Sequence, residues 1–572
     1  MKKIKGLPVS EGIAIGKARL ISKEKHKIKK RKIDEEQIEN ELEKFKKTIA
    51  KVTDDIDTLV DDLSLSKLNR DILTTHKMIV EDPEFHKNVK KKVKTELKSL
   101  EKAVDEHFEE VSEMFESLDN DYMAGRSSDY REVKNRLLNH ILGKDESQEK
   151  HDFAKDSILV MHEVSIALIT HLFKNKIAGI CTEEGGKTSH TAIIARSMNL
   201  PMLTGVNKIQ NSVEDGQEII LDCEKGFVYI EPNEEIRNKY KQELVELKAE
   251  KEKLNKIKDK KTQTLDGYQI KLMSNIEIPE ETELVLQNQS DGIGLFRTEF
   301  LFIGKKELPT EAEQTEIYKQ VATKIYPQDV IIRTIDVGGD KVYEKLDLIE
   351  QENPNLGLRG IRISLSYKEL FETQLRALFN ANVKGNIKIL LPMISDVAEI
   401  IETKKIIDNI KPNLTANEKD KNFDIELGAM IEIPSAALNA DAIIQECDFL
   451  SIGTNDLIQY TLAADRDNPG IQNYYRSSNP AVFKLIKMTI ESAHKFNKKV
   501  AVCGEMAGRK AYIPLLLGMG VDSLSVSPGI YLESKKCILD TEMKQAKDLV
   551  NKVLNMKNVD KIDKLLKGDK KK

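Results

Sequence analysis

Apolar residues in the first quarter of the chain recur at spacings of three and four. Ile38, Leu42, Phe45, Ile49, Val52, Ile56 and Leu59 follow this rule and predict a long amphipathic helix. Val93, Leu97, Leu100, Val104, Phe108, Val111 and Phe115 repeat it and read as a second continuous helix. With the stretches from Ile72 to Val80 and from Tyr130 to Leu142, the pattern predicts a bundle of about four helices. The twenty residues ahead of it, with Gly6-Leu7-Pro8 and Gly12-Ile13-Ala14-Ile15-Gly16, are small and apolar, as in a strand-and-turn element. From Ser157 the apolar runs shorten: Ile158-Leu159-Val160, Gly179-Ile180-Cys181, Met202-Leu203-Thr204 and Glu218-Ile219-Ile220-Leu221 read as short buried strands. The N-terminal strand is expected to join this sheet. The helices of residues 27–145 then form an insertion into an α/β domain made of residues 1–26 and 146–230.

Residues 231–262 are dominated by Glu, Lys, Leu and Asn and predict a charged helix without a large apolar face, a linker between two independently packed and mutually mobile parts. Residues 263–572 carry eight short apolar runs separated by helical patterns. The runs are Ile270 to Ile276, Gly292 to Phe296, Val330 to Thr334, Ile387 to Met393, Glu426 to Ile431, Phe449 to Gly453, Lys499 to Cys503 and Ser523 to Val526. Eight strand–helix units predict a (β/α)8 TIM barrel. An open doubly wound sheet is the alternative, but no GxGxxG turn follows the first of these strands.

A chain of 572 residues is too long for a single core. Its 90 basic and 95 acidic residues leave a formal charge of −5, which gives no electrostatic case for nucleic acid or a membrane as main partner. No apolar run approaches the roughly 20 residues of a spanning helix, and no signal peptide is visible. The five cysteines are dispersed and unpaired by motif, so reduced thiols in a cytoplasmic protein are expected, without a zinc site.

The polar residues concentrate where these runs end. Arg297 follows the second barrel run, Arg333 and Asp336 close the third, and Glu432 closes the fifth; Asn455 and Asp456 follow the sixth, and Cys503 and Glu505 close the seventh. In a barrel all eight lie at the C-terminal mouth, where active sites form. Arg297, Arg333 and Arg466 offer forked donors for a phosphate or carboxylate. Glu432 and Asp456 offer hard oxygen ligands suited to Mg²⁺, or partners for those arginines in salt bridges. Cys503 reads either as a small core residue or as a proton-handling group. In the α/β part, Gly185-Gly186-Lys187-Thr188-Ser189-His190 sets a histidine behind a glycine pair at a helix start. There, free N–H groups and the dipole favour a phosphate on the imidazole, although a lone His at such a place is commonly an ordinary polar residue.

Taken together these stretches resemble enzyme I of the sugar phosphotransferase system, the phosphoenolpyruvate-protein phosphotransferases. The string Gly185 to Arg196 resembles the phosphohistidine signature. Asp291 to Phe300, Arg333 to Lys341, Asn353 to Arg362, Met430 to Ser435, Ser451 to Leu457 and Cys503 to Gly508 follow in family order over nearly the whole chain. The resemblance implies that His190 takes the phosphoryl group from phosphoenolpyruvate and passes it to the carrier protein HPr. It implies that Arg297, Arg333 and Arg466 hold phosphoenolpyruvate with help from Asn455 and Lys341, that Glu432 and Asp456 bind Mg²⁺, and that Cys503 protonates the enolpyruvate. It also implies that residues 1–26 and 146–230 form a swivelling phosphohistidine domain, that residues 27–145 dock HPr, and that the barrel of residues 263–572 dimerises. Related dikinases and synthases carry a nucleotide-binding domain ahead of the histidine, where this chain has an amphipathic bundle and no P-loop. A regulatory relative without catalysis would be expected to have lost one of His190, Glu432, Asp456 and Cys503, and all four are present.

Overall fold

The computed structural model describes residues 1–10, 12–21, 33–60, 67–116, 130, 133–143, 154, 156–162, 177–184, 200–302, 308–337, 353–414, 424–466 and 468–567. The chain divides into two compact units, Met1–Leu247 and Lys248–Lys572.

In the first unit, strands β1 (Lys2–Lys5), β2 (Leu7–Ser10), β3 (Ile13–Ile21), β4 (Ser157–Met161), β5 (Gly179–Thr182), β6 (Met202–Thr204), β7 (Glu218–Asp222) and β8 (Phe227–Ile230) form one sheet in the order β1-β8-β7-β3-β4-β5-β6-β2. Strands β3 to β6 run parallel, and β7 and β8 return antiparallel. Only Gly6 separates β1 from β2, yet they sit at opposite ends of the order, so the sheet curls until its two ends share one extended segment. Gly6 permits that approach, because a Cβ there would stand 2.5 Å from a methyl of Val206. Strand β8 is not among the runs read from the sequence. It is four residues long and is announced only by Gly226, whose φ of 74° turns the chain back from β7.

The helical elements lie in sequence between β3 and β4, which pair directly with each other. They are α1 (Ile38–Val60), α2 (Lys67–Glu81), α3 (Pro83–Glu96), α4 (Leu100–Glu116) and a helical segment over 133–141, packed around Phe45, Phe85 and Phe108. The expected single helix through Val93 and Phe115 is two. Leu97 adopts a left-handed conformation (φ 50°) that ends α3, and the Leu100 amide then donates to Glu41 Oε2 at 3.0 Å as α4 begins. Val93, Leu97, Leu100 and Val104 still meet the same core, so their spacing is unbroken although the axis is not.

Helix α5 (Glu234–Asn255) corrects a second expectation. Ile236, Tyr240, Leu244 and Leu247 form an apolar stripe packed against Ile13, Ile220 and Tyr229. The Tyr240 hydroxyl donates to the buried Asp222 carboxylate at 2.5 Å, and Arg237 pairs with Glu218. The stripe is diluted by flanking charges, which is why composition hides it.

In the second unit, β9 (Lys271–Ile276), β10 (Gly292–Phe296), β11 (Asp329–Arg333), β12 (Ile387–Leu391), β13 (Leu427–Ile431), β14 (Phe449–Ile452), β15 (Lys499–Val502) and β16 (Ser523–Val526) form a closed barrel. All pairings are parallel, and β16 closes on β9 with Ser523 opposite Lys271. A parallel barrel buries both faces of each strand, and the eight apolar runs reflect this. One face packs under the helices, while Met273, Leu295, Ile331, Leu390, Met430, Phe449 and Cys503 form a separate cluster. By alternation along the strands this second cluster fills the interior.

Candidate active site

Three buried carboxyl groups, the half-buried Glu299 and two buried arginines meet beyond the C-terminal ends of β10, β11, β13 and β14. Arg333, the last residue of β11, donates to Glu299 Oε1 at 2.9 Å and reaches Asp336 Oδ2 at 3.0 Å. The Asp336 amide donates to the same Glu299 oxygen at 3.1 Å. Arg359 grips Asp336 with two parallel donors, Nε to Oδ1 at 3.1 Å and Nη2 to Oδ2 at 2.9 Å. Its Nη1 turns to Asp456 Oδ1 at 3.2 Å and to the Tyr460 hydroxyl at 3.1 Å. The second Asp456 oxygen lies 3.7 Å from Arg466. Such bidentate, charge-assisted pairs fix geometry as well as charge.

Gly360 lets the Arg359 loop come this close. Its φ of 56° is left-handed, and a Cβ would stand 2.8 Å from the Met393 side chain.

Glu432 follows β13 directly and is 1% exposed. Its Oε1 accepts the Met393 amide at 2.7 Å, and no lysine or arginine pairs with it among the described residues. Burial, followed by the charges of Asp456 and Asp336, pushes its carboxyl up to about 8. Burial also opposes the charge on Asp336, but Arg333 and Arg359 outweigh it and hold that carboxyl below the ordinary range. The two contrasting acids reflect one imbalance. Arg333 and Arg359 supply two buried positive charges, against four carboxylates on Glu299, Asp336, Glu432 and Asp456.

Cys503 sits one residue beyond β15 and is buried. Its Sγ accepts the Ser451 hydroxyl at 3.2 Å and lies 3.7 Å from the Ile452 carbonyl. Burial raises its thiol, which therefore keeps its proton at neutral pH, within electrostatic reach of Glu432, Arg333 and Arg297. Asn455 Oδ1 accepts the Glu505 amide at 3.0 Å, and its carbonyl accepts the Tyr475 hydroxyl at 3.0 Å.

The structure thus brings Arg333, Asp336, Glu432, Asp456 and Arg466 into one network, with Asn455 next to Asp456. Arg297 pairs with Glu277 on the rim, and Glu505 turns to Arg509 at 2.8 Å, outside the network. His190 and Lys341 lie outside the described residues. Of the two readings of the acids, Asp456 meets the salt-bridge one and Glu432 does not. Three contributors escape a search of strand ends. Arg359 and Tyr460 come from a loop and a helix, and Glu299 from a 3-10 turn two residues past Arg297. Arg359 did lie within the Asn353–Arg362 stretch that carried the family resemblance.

Comparison with known proteins agrees with this architecture. Residues 251–543 match the model of the PEP-utilising enzyme PEP-binding domain, residues 5–126 the N-terminal model of the same enzymes, and residues 153–226 their mobile domain. The phosphoenolpyruvate-protein phosphotransferase of Bacillus subtilis (strain 168) is 37% identical over 564 residues, 98% of each chain. Those of Priestia megaterium and Staphylococcus carnosus (strain TM300) are 36% identical over 99% of each chain and 37% identical over 96% of each. No described helix is long and apolar enough to cross a membrane. With all three models present in order and relatives matching end to end, the chain belongs to the phosphoenolpyruvate-protein phosphotransferase family and is an enzyme of that class.

Proposed function

We propose that the chain moves the phosphoryl group of phosphoenolpyruvate onto His190 and from there onto a histidine of the carrier protein HPr, releasing pyruvate as the first step of sugar uptake. The observation that carries this reading is the network at the barrel mouth, where anion-binding guanidiniums, excess carboxylates and a protonated buried thiol converge.

Arg297, Arg333 and Arg466, with Lys341 and Asn455, hold the phosphate and carboxylate of phosphoenolpyruvate. The neutral imidazole of His190 attacks phosphorus in line as the P–O bond to the enol oxygen breaks, and the arginines stabilise the charge that spreads over the oxygens. The enolpyruvate then takes the Sγ proton of Cys503 at C3 to become pyruvate, and the thiolate recovers a proton from solvent. A thiol kept protonated by burial suits that role. The phosphohistidine next meets HPr, and transfer between two histidines is nearly balanced in energy.

Glu432 and Asp456 would hold Mg²⁺. Four carboxyl groups against two guanidiniums, with Glu432 bound only to a backbone amide and able to give up its proton when a cation binds, fit a dication. When bound, the ion would neutralise charge developing on the transferring phosphoryl and enol oxygens. In this reading residues 27–145 dock HPr on the α/β phosphohistidine domain of residues 1–26 and 146–230. Residues 231–262 link it to the barrel of residues 263–572, and the protein works as a cytoplasmic homodimer.

A Cys503→Ala chain tests the barrel chemistry. Pyruvate formation should fall by about 10²–10⁴, the usual contribution of a positioned acid, while KM for phosphoenolpyruvate moves little. An unchanged rate would remove Cys503 from the proton-donor role.

A further inference from the structure

Arg297 pairs with Glu277 at the rim of the network, and the backbone brings the two residues together. The Arg297 amide donates to the Ile276 carbonyl at 3.0 Å, which sets residues 277 and 297 side by side just beyond the ends of the neighbouring strands β9 and β10. The Glu277 amide is itself anchored by Glu281 Oε2 at 2.6 Å, and the Ile278 amide by the same oxygen at 3.3 Å. From this fixed point the Glu277 carboxylate meets Arg297 Nη1. Asp336, Asp456 and Glu299, the acids on Arg333 and Arg466, are buried or nearly so, whereas the Glu277 side chain is 64% exposed and leaves its partner at little desolvation cost.

We infer that Glu277 is a competing carboxylate that occupies the Arg297 guanidinium before the substrate does, and so sets the affinity for phosphoenolpyruvate. The inference rests on the reading of Arg297 as a substrate ligand. A phosphate or carboxylate of the incoming anion replaces one ion pair with another, and only the fraction of molecules with Arg297 released binds without that exchange. Apparent affinity falls by that fraction. Glu277 is a positioning residue here, since it touches the arginine and takes no part in bond making.

The test measures phosphoenolpyruvate binding by calorimetry in the full-length His190→Ala chain, which binds without turnover. Adding Glu277→Gln should tighten Kd about two- to fivefold, the range of an exposed ion pair. The gain should shrink at high ionic strength. In an Arg297→Ala background, itself weaker in binding, Glu277→Gln should change nothing. An equal gain with and without Arg297 would mean diffuse charge repulsion and overturn the inference, as would unchanged or weaker binding in the single variant. If Arg297→Ala leaves Kd unaltered, the substrate-ligand reading of Arg297 falls instead, and Glu277 with it.

Discussion

Replacing Arg359 with alanine should lower the stability of the barrel by about 3–5 kcal/mol, the typical cost of removing one member of a buried ion pair. The guanidinium closes two hydrogen bonds to Asp336 and one each to Asp456 and Tyr460, and the residue is buried. Its removal leaves Asp336 with Arg333 and Asp456 with the more exposed Arg466, in a cluster already rich in carboxylates. A lysine cannot restore the forked contact, so Arg359→Lys should recover only part of the loss. Denaturant unfolding followed with a probe in the barrel reads the difference directly. A change below about 1 kcal/mol, the scale of exposed pairs, would mean that the network adds little to holding the mouth together.

Glu432→Gln should separate function from stability. Turnover is expected to fall by about 10²–10³, the scale for deleting one charge-stabilising group in an active site. The metal-free fold should not suffer, because the amide oxygen still accepts from Met393. Glu432 is raised to about 8 in the folded chain, so over the range from about pH 4.5 to 8 the folded state keeps a proton that the unfolded chain releases. Stability from this group is therefore complete below pH 4.5 and is lost as pH rises through 8. The difference between wild type and Glu432→Gln, measured with chelator present, should grow in favour of the variant across that range by at most about 1.4 kcal/mol per pH unit. A variant that is less stable than wild type at pH 8 would contradict the burial argument.

The barrel was legible in the sequence because a parallel strand is covered on both faces. Runs such as Gly292 to Phe296 and Leu427 to Ile431 consequently carry no polar side chain and do not alternate. The same logic placed Arg333, Glu432 and Cys503, which lie where those runs stop. Arg359 has no such marker. It reaches the mouth from a loop, and in the sequence only the Asn353–Arg362 stretch that carries the family resemblance took it in. Periodicity also misled at Leu97, since a helix break that keeps its residues on the core preserves their spacing. On α5 the charges around Tyr240 masked a packed face that a contact with the buried Asp222 makes specific. The Glu277–Arg297 pair depends on strand adjacency, which no local pattern encodes.

Phosphorylation of His190 by phosphoenolpyruvate can be read directly from a labelling experiment. Purified chain should be mixed with phosphoenolpyruvate labelled in its phosphoryl group, with and without Mg²⁺, beside a His190→Ala variant. Acid-labile label is expected on the wild type alone, dependent on Mg²⁺ and discharged when HPr is added. Label that persists on His190→Ala, or a wild type that takes up none, would contradict phosphorylation at His190.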